Sequence, residues 1–538
     1  MFKTLLIANR GEIAVRIART ATRLGIETVA LASPADDGAL HTRKSDRVAK
    51  VSSYLAADEI VATSVAVGAQ AVHPGYGFLA EDADFARAVE AAGLLWAGPP
   101  PPALALAGDK LEALRVAEQT GIPTLASGSP DELGFPLLVK AAAGGGGRGM
   151  RTVAGPDDLD DAVASARREA GTAFGDDRIY YEQLLTGARH IEVQLLADQH
   201  GQIATLGDRD CSIQRRHQKV IEEAPAPGLS SCLREELSIH ATSLARNLGY
   251  ANAGTVEFLV DGDRAYFLEC NARLQVEHPV TEEAYGLDLV EWQLRIAAGE
   301  ALDVPNKPVA HAVEARLYAE HPVTFLPQAG LITDFRLPPG IRVDAGVESG
   351  DAVSADYDPL VAKLIARGTT REKAFDLLVE ALEATRVQGL MTNRALLLWV
   401  LEHHLVRAGL QTTSFLDLHP PFSRDRSLGD EWRGGFRLNT PADALAPAAP
   451  PSIEASRGRL GAAGAVDGLI TAPMPGTVTE VLVTAGDVVE PHQRLLALEA
   501  MKMETPITAP LAGTVERVAV DVGDQVARGD LVVEIAAS

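Results

Sequence analysis

The sequence predicts an α/β protein that ends in a small all-β module, and three observations carry that prediction. The chain opens on strand, helix and strand, the start of a parallel sheet. A hairpin signal near its middle brackets two glutamates between apolar runs. Close to the C-terminus a stretch repeats after 37 residues, as two matched β-halves would.

At 538 residues the chain has room for three or four domains. A 46% hydrophobic and 23% charged composition suits large cores. The net charge of −24 argues against nucleic-acid binding. No apolar run reaches the length of a bilayer span, so no membrane contact is expected. The start, Met1 to Ile7, leads into a strand rather than a cleavable signal. Cys211, Cys232 and Cys270 form neither a disulfide framework nor a metal-ligand spacing. A reducing, cytoplasmic location follows as the expectation.

Thr4–Ala8 reads as a buried strand, Gly11–Leu24 as a helix with Ile13, Ile17 and Leu24 on one face, and Thr28–Leu31 as the next strand. The intervening Asn9-Arg10-Gly11-Glu12 has one glycine, so it is a poor dinucleotide fingerprint. His73 to Glu81 (HPGYGFLAE) is a loop entering a helix, too particular for a generic turn, and its residues alone assign it no role.

Gly144 to Met150 (GGGGRGM), including Gly146 and Gly147, follows the strand-like Pro136 to Lys140. Such a run lets backbone N–H groups approach phosphate oxygens. Lys140, and Lys110 in Gly108-Asp109-Lys110, offer point charges to those phosphates. No Gly-Lys-Ser/Thr closes the run, so it is not a P-loop.

Glu257 lies in TVEFLV and Glu269 in AYFLEC, with the turn signal Asp261-Gly262-Asp263-Arg264 between them. Folding that hairpin brings the two carboxylates together, with Asn271 beside them. Carboxylates in apolar strands are costly unless paired or metal-bound. With an amide oxygen they are hard ligands suited to Mg²⁺ on nucleotide phosphates. The alternative is a pair of edge-strand glutamates facing water. Next, an extended backbone would put Arg273, Gln275 and Glu277 on one face. A guanidinium fork, an amide and a carboxylate suit a small oxyanion whose proton must be removed. A structural Arg273–Glu277 ion pair is the alternative.

Pro441 to Gly464 is Ala/Pro-rich without hydrophobic period and reads as a semi-rigid linker. About 25 residues of polyproline conformation reach on the order of 75 Å. Beyond it, Thr471 to Val478 (TAPMPGTV) returns as Thr508 to Val515 (TAPLAGTV), and Lys502 falls between the copies. A lysine on a tight turn between interlocked halves is a good address for a covalent cofactor.

These residues carry two resemblances. Ala500-Met501-Lys502-Met503 and its flanking repeat resemble the biotinyl domain of biotin-dependent carboxylases. Lipoyl domains share that fold, but the methionines favour biotin. Residues 1 to about 420 resemble biotin carboxylase, an ATP-grasp enzyme. The matching stretches are Ala8 to Ile13, His73 to Glu81, Lys140 to Met150, Arg209 to Ser212, Arg215 to Lys219, Glu222 to Pro227 and Asn271 to Glu282.

The resemblance implies a Rossmann-like N-domain (1–108), an ATP-grasp domain (109–308) with a mobile lid (about 124–184), and a mixed α/β C-domain (309–425). A barrel lead-in and linker (426–465) and the biotinyl domain (466–538) would follow. It places Glu182, Gln183, Leu184 and Leu185 at the adenine, and His190 and His217 near the nucleotide. Lys219 would approach nucleotide and bicarbonate. Arg273, Gln275 and the Val276 amide would hold bicarbonate, and Glu277 would deprotonate it. Arg342 matches an arginine thought to stabilise the biotin enolate. ATP, Mg²⁺ (or Mn²⁺) and biotin on Lys502 are the implied cofactors. The implied activity is carboxylation of that biotin through carboxyphosphate, as the alpha subunit of an acyl-CoA carboxylase. The implied partners are a separate carboxyltransferase subunit, since no transferase domain fits in this length, a biotin protein ligase and a second copy of the chain. A non-acyl-CoA acceptor such as pyruvate is the alternative. Another ATP-grasp ligase and a non-enzymatic carrier are the rival classes, and Lys502 and the carboxylate set count against them.

Three departures from the family stand out. Ala142-Ala143 precede the glycine run where a small residue and a glycine are usual. The segment from Thr124 to Lys140 is short, so the lid looks trimmed. Trp432 to Asn439 resembles the lead-in to a subunit-docking barrel but breaks off into the linker.

Overall fold

The computed structural model describes residues 1–143, 149–215, 218–322, 324–421, 468–500 and 503–537. Gly146, Gly147, His217, Lys502, the linker and the Trp432 lead-in fall outside them.

The N-terminal part is a five-stranded parallel sheet ordered Arg47–Lys50, Glu27–Ala32, Thr4–Ile7, Ala71–His73 and Leu95–Trp96. Its central strand is buried on both faces, as parallel strands are. Leu6 joins one core with Val29 and Val72; Leu5 and Ile7 join another with Ile13 and Ile17 of the helix Gly11–Arg23. Leu24 caps that helix rather than belonging to it.

A three-stranded antiparallel sheet, Arg151–Val153, Leu137–Ala141 and Ile179–Gln183, packs Leu137, Val139 and Val153 against Ala166 of the helix Leu159–Phe174. Upstream of it, the short 124–140 segment holds one helical turn, Pro130–Leu133, closed by a Ser129/Glu132 capping box. At the glycine run's entry, Ala142 is buried and its N–H donates to the Arg178 carbonyl at 2.8 Å.

The central sheet has eight antiparallel strands, in the order Arg264–Asn271, Asn252–Asp261, Arg189–Ala197, Ile203–Arg215, Gln218–Ala224, His311–Tyr318, Leu360–Gly368 and Arg342–Ala345. Gln218–Ala224 pairs directly with His311–Tyr318. The boundary expected at 308/309 therefore falls within one sheet, not between two.

The C-terminal module is two four-stranded sheets. One is Leu469–Thr471, Leu531–Ala537, Gly513–Val518 and Val488–Val489; the other is Met503–Thr508, Arg494–Ala500, Gly476–Val481 and Gln525–Val526. Each sheet draws strands from both repeat copies, so the halves interlock. The core obeys the same offset: Ile470 and Ile507, Val478 and Val515, Val489 and Val526, and Leu498 and Ile535 are buried together. Ala500 pairs with Met503 across the hairpin that flanks Lys502.

Candidate active site

The predicted hairpin forms, with Gly262 at φ +58° in its two-residue turn and Asp261 opposite Arg264. From that turn a regular ladder would set Glu257 opposite Leu268. A bulge between Glu257 and Phe258 shifts the register, so Glu257 faces Glu269. On its other side Glu257 faces Glu192, and Glu192 faces Arg209. Three carboxylates thus stand in one cross-strand row, an arrangement that repels itself unless cations intervene.

The cations are Lys219, His190 and Arg209. Lys219 Nζ donates to Glu192 Oε2 at 2.6 Å, Glu257 Oε1 at 2.8 Å and Glu277 Oε1 at 2.6 Å. His190 Nε2 lies 2.8 Å from Glu257 Oε2, and Gln214 Nε2 lies 2.8 Å from its Nδ1. Arg209, fully buried, pairs with Glu192 and donates to Gln194 at 2.6 Å and Thr281 at 2.9 Å. Burial alone would raise the Glu257 carboxyl, but Lys219 and His190 outweigh it and hold it below the usual range. For Lys219 the balance reverses: burial lowers it, and the three carboxylates drive it well above an ordinary lysine.

Asn271 Nδ2 donates to Glu257 Oε1 at 2.8 Å and Glu269 Oε1 at 3.2 Å, and its Oδ1 accepts from Arg273 at 3.1 Å. One small group therefore spans the space between the two carboxylates. Two carboxylates and an amide at that spacing fit a hard divalent cation, with the amide turned end for end.

The expected extended face of Arg273, Gln275 and Glu277 does not form. The segment turns, and Glu277 caps the helix His278–Tyr285 with φ −81° and ψ 9°. Pro279 favours that start, because a proline fits the first helical turn. The three residues still meet. Arg273 Nη1 donates to Gln275 Oε1 at 3.0 Å, and Gln275 Nε2 donates to Glu257 Oε1 at 3.2 Å. Arg273 pairs with Glu81 at 3.0 Å, so the His73–Glu81 loop reaches this site. Glu277 pairs with Lys219 and, through Oε2, with Arg316 at 2.9 Å. Burial would raise it, but Lys219, Arg316 and Arg209 hold it well below the usual carboxylate range.

Lys140 and Lys110 are buried near the hairpin. Lys140 Nζ lies 3.0 Å from Glu182, and Lys110 Nζ lies 3.7 Å from Glu269. Gln183 ends the strand Ile179–Gln183, and Leu184 and Leu185 follow it. Arg342 does not join the cluster. It pairs with Glu282 and Asp344, each at 2.7 Å, on a cleft of about 700 Å³ that Arg16 and Glu283 also line. Glu192, Arg209, Arg316 and Glu81 also stand in this site, though the sequence motifs assign them no role there. The alternation His190, Glu192, Gln194 inside an apolar strand is the signal that marks the first of them.

The family models for the biotin carboxylase N-terminal domain, the carbamoyl-phosphate synthase L chain ATP-binding domain and the biotin carboxylase C-terminal domain match residues 1–104, 110–304 and 314–418. The model described as biotin-requiring enzyme matches residues 468–535. Among relatives, the mitochondrial methylcrotonoyl-CoA carboxylase subunit alpha of Oryza sativa subsp. japonica is 46% identical over 440 residues, which are 77% of this chain and 60% of that one. Biotin carboxylase 2 of Bacillus subtilis is 46% identical over 443 residues, 78% of this chain and all of that one. A solved structure, the biotin carboxylase domain dimer of Hydrogenobacter thermophilus 2-oxoglutarate carboxylase with MgADP, ADP and bicarbonate, superposes with a TM-score of 0.76 at 39% identity. It covers 78% of this chain and 98% of that one.

The fold and the matches together define a biotin carboxylase architecture, with a biotin-requiring-enzyme module on the same chain. The chain belongs to the biotin carboxylase family. It spans 60% of the length of the rice relative. Among the described residues no helix is long and apolar enough to cross a membrane.

Proposed function

We propose that the chain uses ATP and bicarbonate to carboxylate biotin on its own Lys502, as the alpha subunit of an acyl-CoA carboxylase. The observation that carries this reading is the Lys219 ammonium shared by Glu257, on the hairpin, and Glu277, beside Arg273 and Gln275. It joins a cation-and-phosphate site to an oxyanion site.

Glu257, Glu269 and Asn271 would hold Mg²⁺ or Mn²⁺, which supplies charge neutralisation on the nucleotide phosphates. Lys110, Lys140, Gly146 and Gly147 would approach those phosphates, His190 and His217 would approach the nucleotide, and Glu182 to Leu185 would border the adenine. Arg273, Gln275 and Val276 hold bicarbonate. Glu277 takes its proton, a bicarbonate oxygen attacks the γ-phosphorus, and the bond to the ADP oxygen breaks. Carboxyphosphate results, and its breakdown releases CO₂ and phosphate. Biotin, once attached, supplies the nitrogen that accepts the carboxyl group, and Arg342 is assigned to it. Lys219, Arg316 and Arg209 keep Glu277 ionised, as a base must be, but also weaken it. Phosphates that draw Lys219 away restore its basicity, which ties proton removal to the presence of ATP.

Tethering holds biotin at an effective concentration near millimolar. A separate carboxyltransferase takes the carboxyl group, a biotin protein ligase attaches the cofactor, and the chain pairs with a second copy, in a cytoplasmic setting. The rice relative's name favours an acyl-CoA acceptor. The 2-oxoglutarate carboxylase neighbour favours the second reading, a 2-oxo acid such as pyruvate. A streptavidin blot after co-expression with a biotin ligase, with an ATPase assay with and without bicarbonate, tests the reading. No biotin signal, or turnover indifferent to bicarbonate, sinks it.

A further inference from the structure

Two sequence motifs, Ala8 to Ile13 and His73 to Glu81, have no step in the chemistry above beyond the Glu81–Arg273 pair. The structure brings both behind the oxyanion loop. Lys363, on the strand Leu360–Gly368, has no solvent exposure, and its Nζ donates to the Val276 carbonyl at 2.9 Å. The same Nζ lies 3.1 Å from Glu12 Oε1, which also accepts from the Tyr76 hydroxyl. The Tyr76 ring is 5.9 Å from that ammonium. Glu12 Oε2, buried, has no hydrogen-bond partner among the described residues. From the other side His278 Nδ1 lies 2.8 Å from the Gln275 carbonyl oxygen.

A lysine buried without water is costly, and its retention needs good partners. Here the direct partners among the described residues are the Glu12 carboxylate and one loop carbonyl, and the Glu314 and Asp344 carboxylates also feel its charge. The Val276 carbonyl belongs to the Val276–Glu277 peptide plane, the joint between the oxyanion residues and the base. Holding that carbonyl sets where the Gln275–Val276 backbone and the Glu277 side chain point.

We infer that Lys363 is a positioning residue for bicarbonate, locking the Val276–Glu277 peptide while Glu12 and Tyr76 hold its ammonium in place. It touches no substrate itself. The inference rests on reading residues 273–277 as the bicarbonate site.

The test compares Lys363→Met, Lys363→Arg and the double variant Lys363→Met/Glu12→Gln with the full-length chain. In Lys363→Met the KM for bicarbonate should rise about tenfold or more, the loss expected for a charge-assisted hydrogen bond, with the KM for ATP changing less than about twofold. Lys363→Arg should recover part of it. Lys363→Met also strands the Glu12 charge, so its melting temperature should fall. The double variant should regain that stability and keep the bicarbonate defect, which a purely structural lysine would not do. Amide hydrogen exchange in peptides covering 273–280 should speed up in both Met variants, and this readout needs no activity. If the wild type turns over ATP with bicarbonate dependence and the variants keep its bicarbonate KM, the inference fails and the activity reading stands. A wild type indifferent to bicarbonate sinks the activity reading instead. Unchanged exchange at 273–280 overturns the inference in either case.

Discussion

Glu277 sits between Lys219 and Arg316, and this pairing gives its behaviour a sign. With one oxygen on each cation it is ionised at neutral pH. Glu277→Gln should lower bicarbonate-dependent ATP turnover about 100-fold or more, with nucleotide affinity within a few-fold of wild type by titration calorimetry. Retained turnover would remove Glu277 from its role. Glu222 behaves oppositely, although it shares Arg316. Burial raises its carboxyl to about 7, against the pull of Arg316 and with the push of Glu277. Its folded value lies above the ordinary 4.5. The stability it contributes is therefore full below about pH 4.5 and lost as pH rises through about 7. Melting curves should show Glu222→Gln gaining on wild type from pH 5 to pH 8. A constant difference would contradict the buried titration. The sequence made Glu257, Glu269, Asn271 and Glu277 legible, because polar residues in apolar strands stand out. Arg316 and Arg209 were not legible, since their roles depend on which strands become neighbours.

At the scale of elements, the hairpin shows what a sequence can and cannot give. Asp-Gly-Asp-Arg announces the turn, but a regular ladder from that turn misaligns Glu257 and Glu269. The bulge that aligns them has no local signal, because it answers to packing on both sides of the strand. The stretch 273–277 read as extended for a similar reason: alternating polarity suggests a strand, and the Pro279 helix start overrides it. The C-terminal module was more readable because its repeat fixes both core and strand pairing. Gly468 there has φ +81°, and a Cβ would lie 1.9 Å from the Ile535 carbonyl oxygen. Beyond the clash, a side chain at such a φ costs about 1–2 kcal/mol. Gly468→Ala should unfold the module and abolish biotinylation on a streptavidin blot, while carboxylation of free biotin continues. Normal biotinylation of this variant would show that the module tolerates the strain.

At the scale of the whole molecule, the central sheet joins the two parts that the sequence separates at 308/309. The central sheet continues across residue 308, so the parts on either side share strands rather than meet at a surface. A chain ending at 308 would leave Gln218–Ala224 as an open edge and should aggregate on size-exclusion chromatography. A chain ending at 421 keeps every strand of that sheet and should stay soluble and turn over ATP with free biotin. Equal solubility of both would argue against the shared sheet. Sequence patterning could not show this continuity, because pairing between Gln218–Ala224 and His311–Tyr318 spans most of a hundred residues.

The central claim is that one chain both activates bicarbonate and carries the product on Lys502. Its most direct test is transfer of label from ¹⁴C-bicarbonate to the biotinylated chain in the presence of ATP and Mg²⁺, quenched and read on a gel. Label should need ATP, vanish in Lys502→Arg, and vanish in Glu277→Gln even where biotin is attached. Label on Lys502→Arg, or none on a fully biotinylated wild type, would contradict that claim.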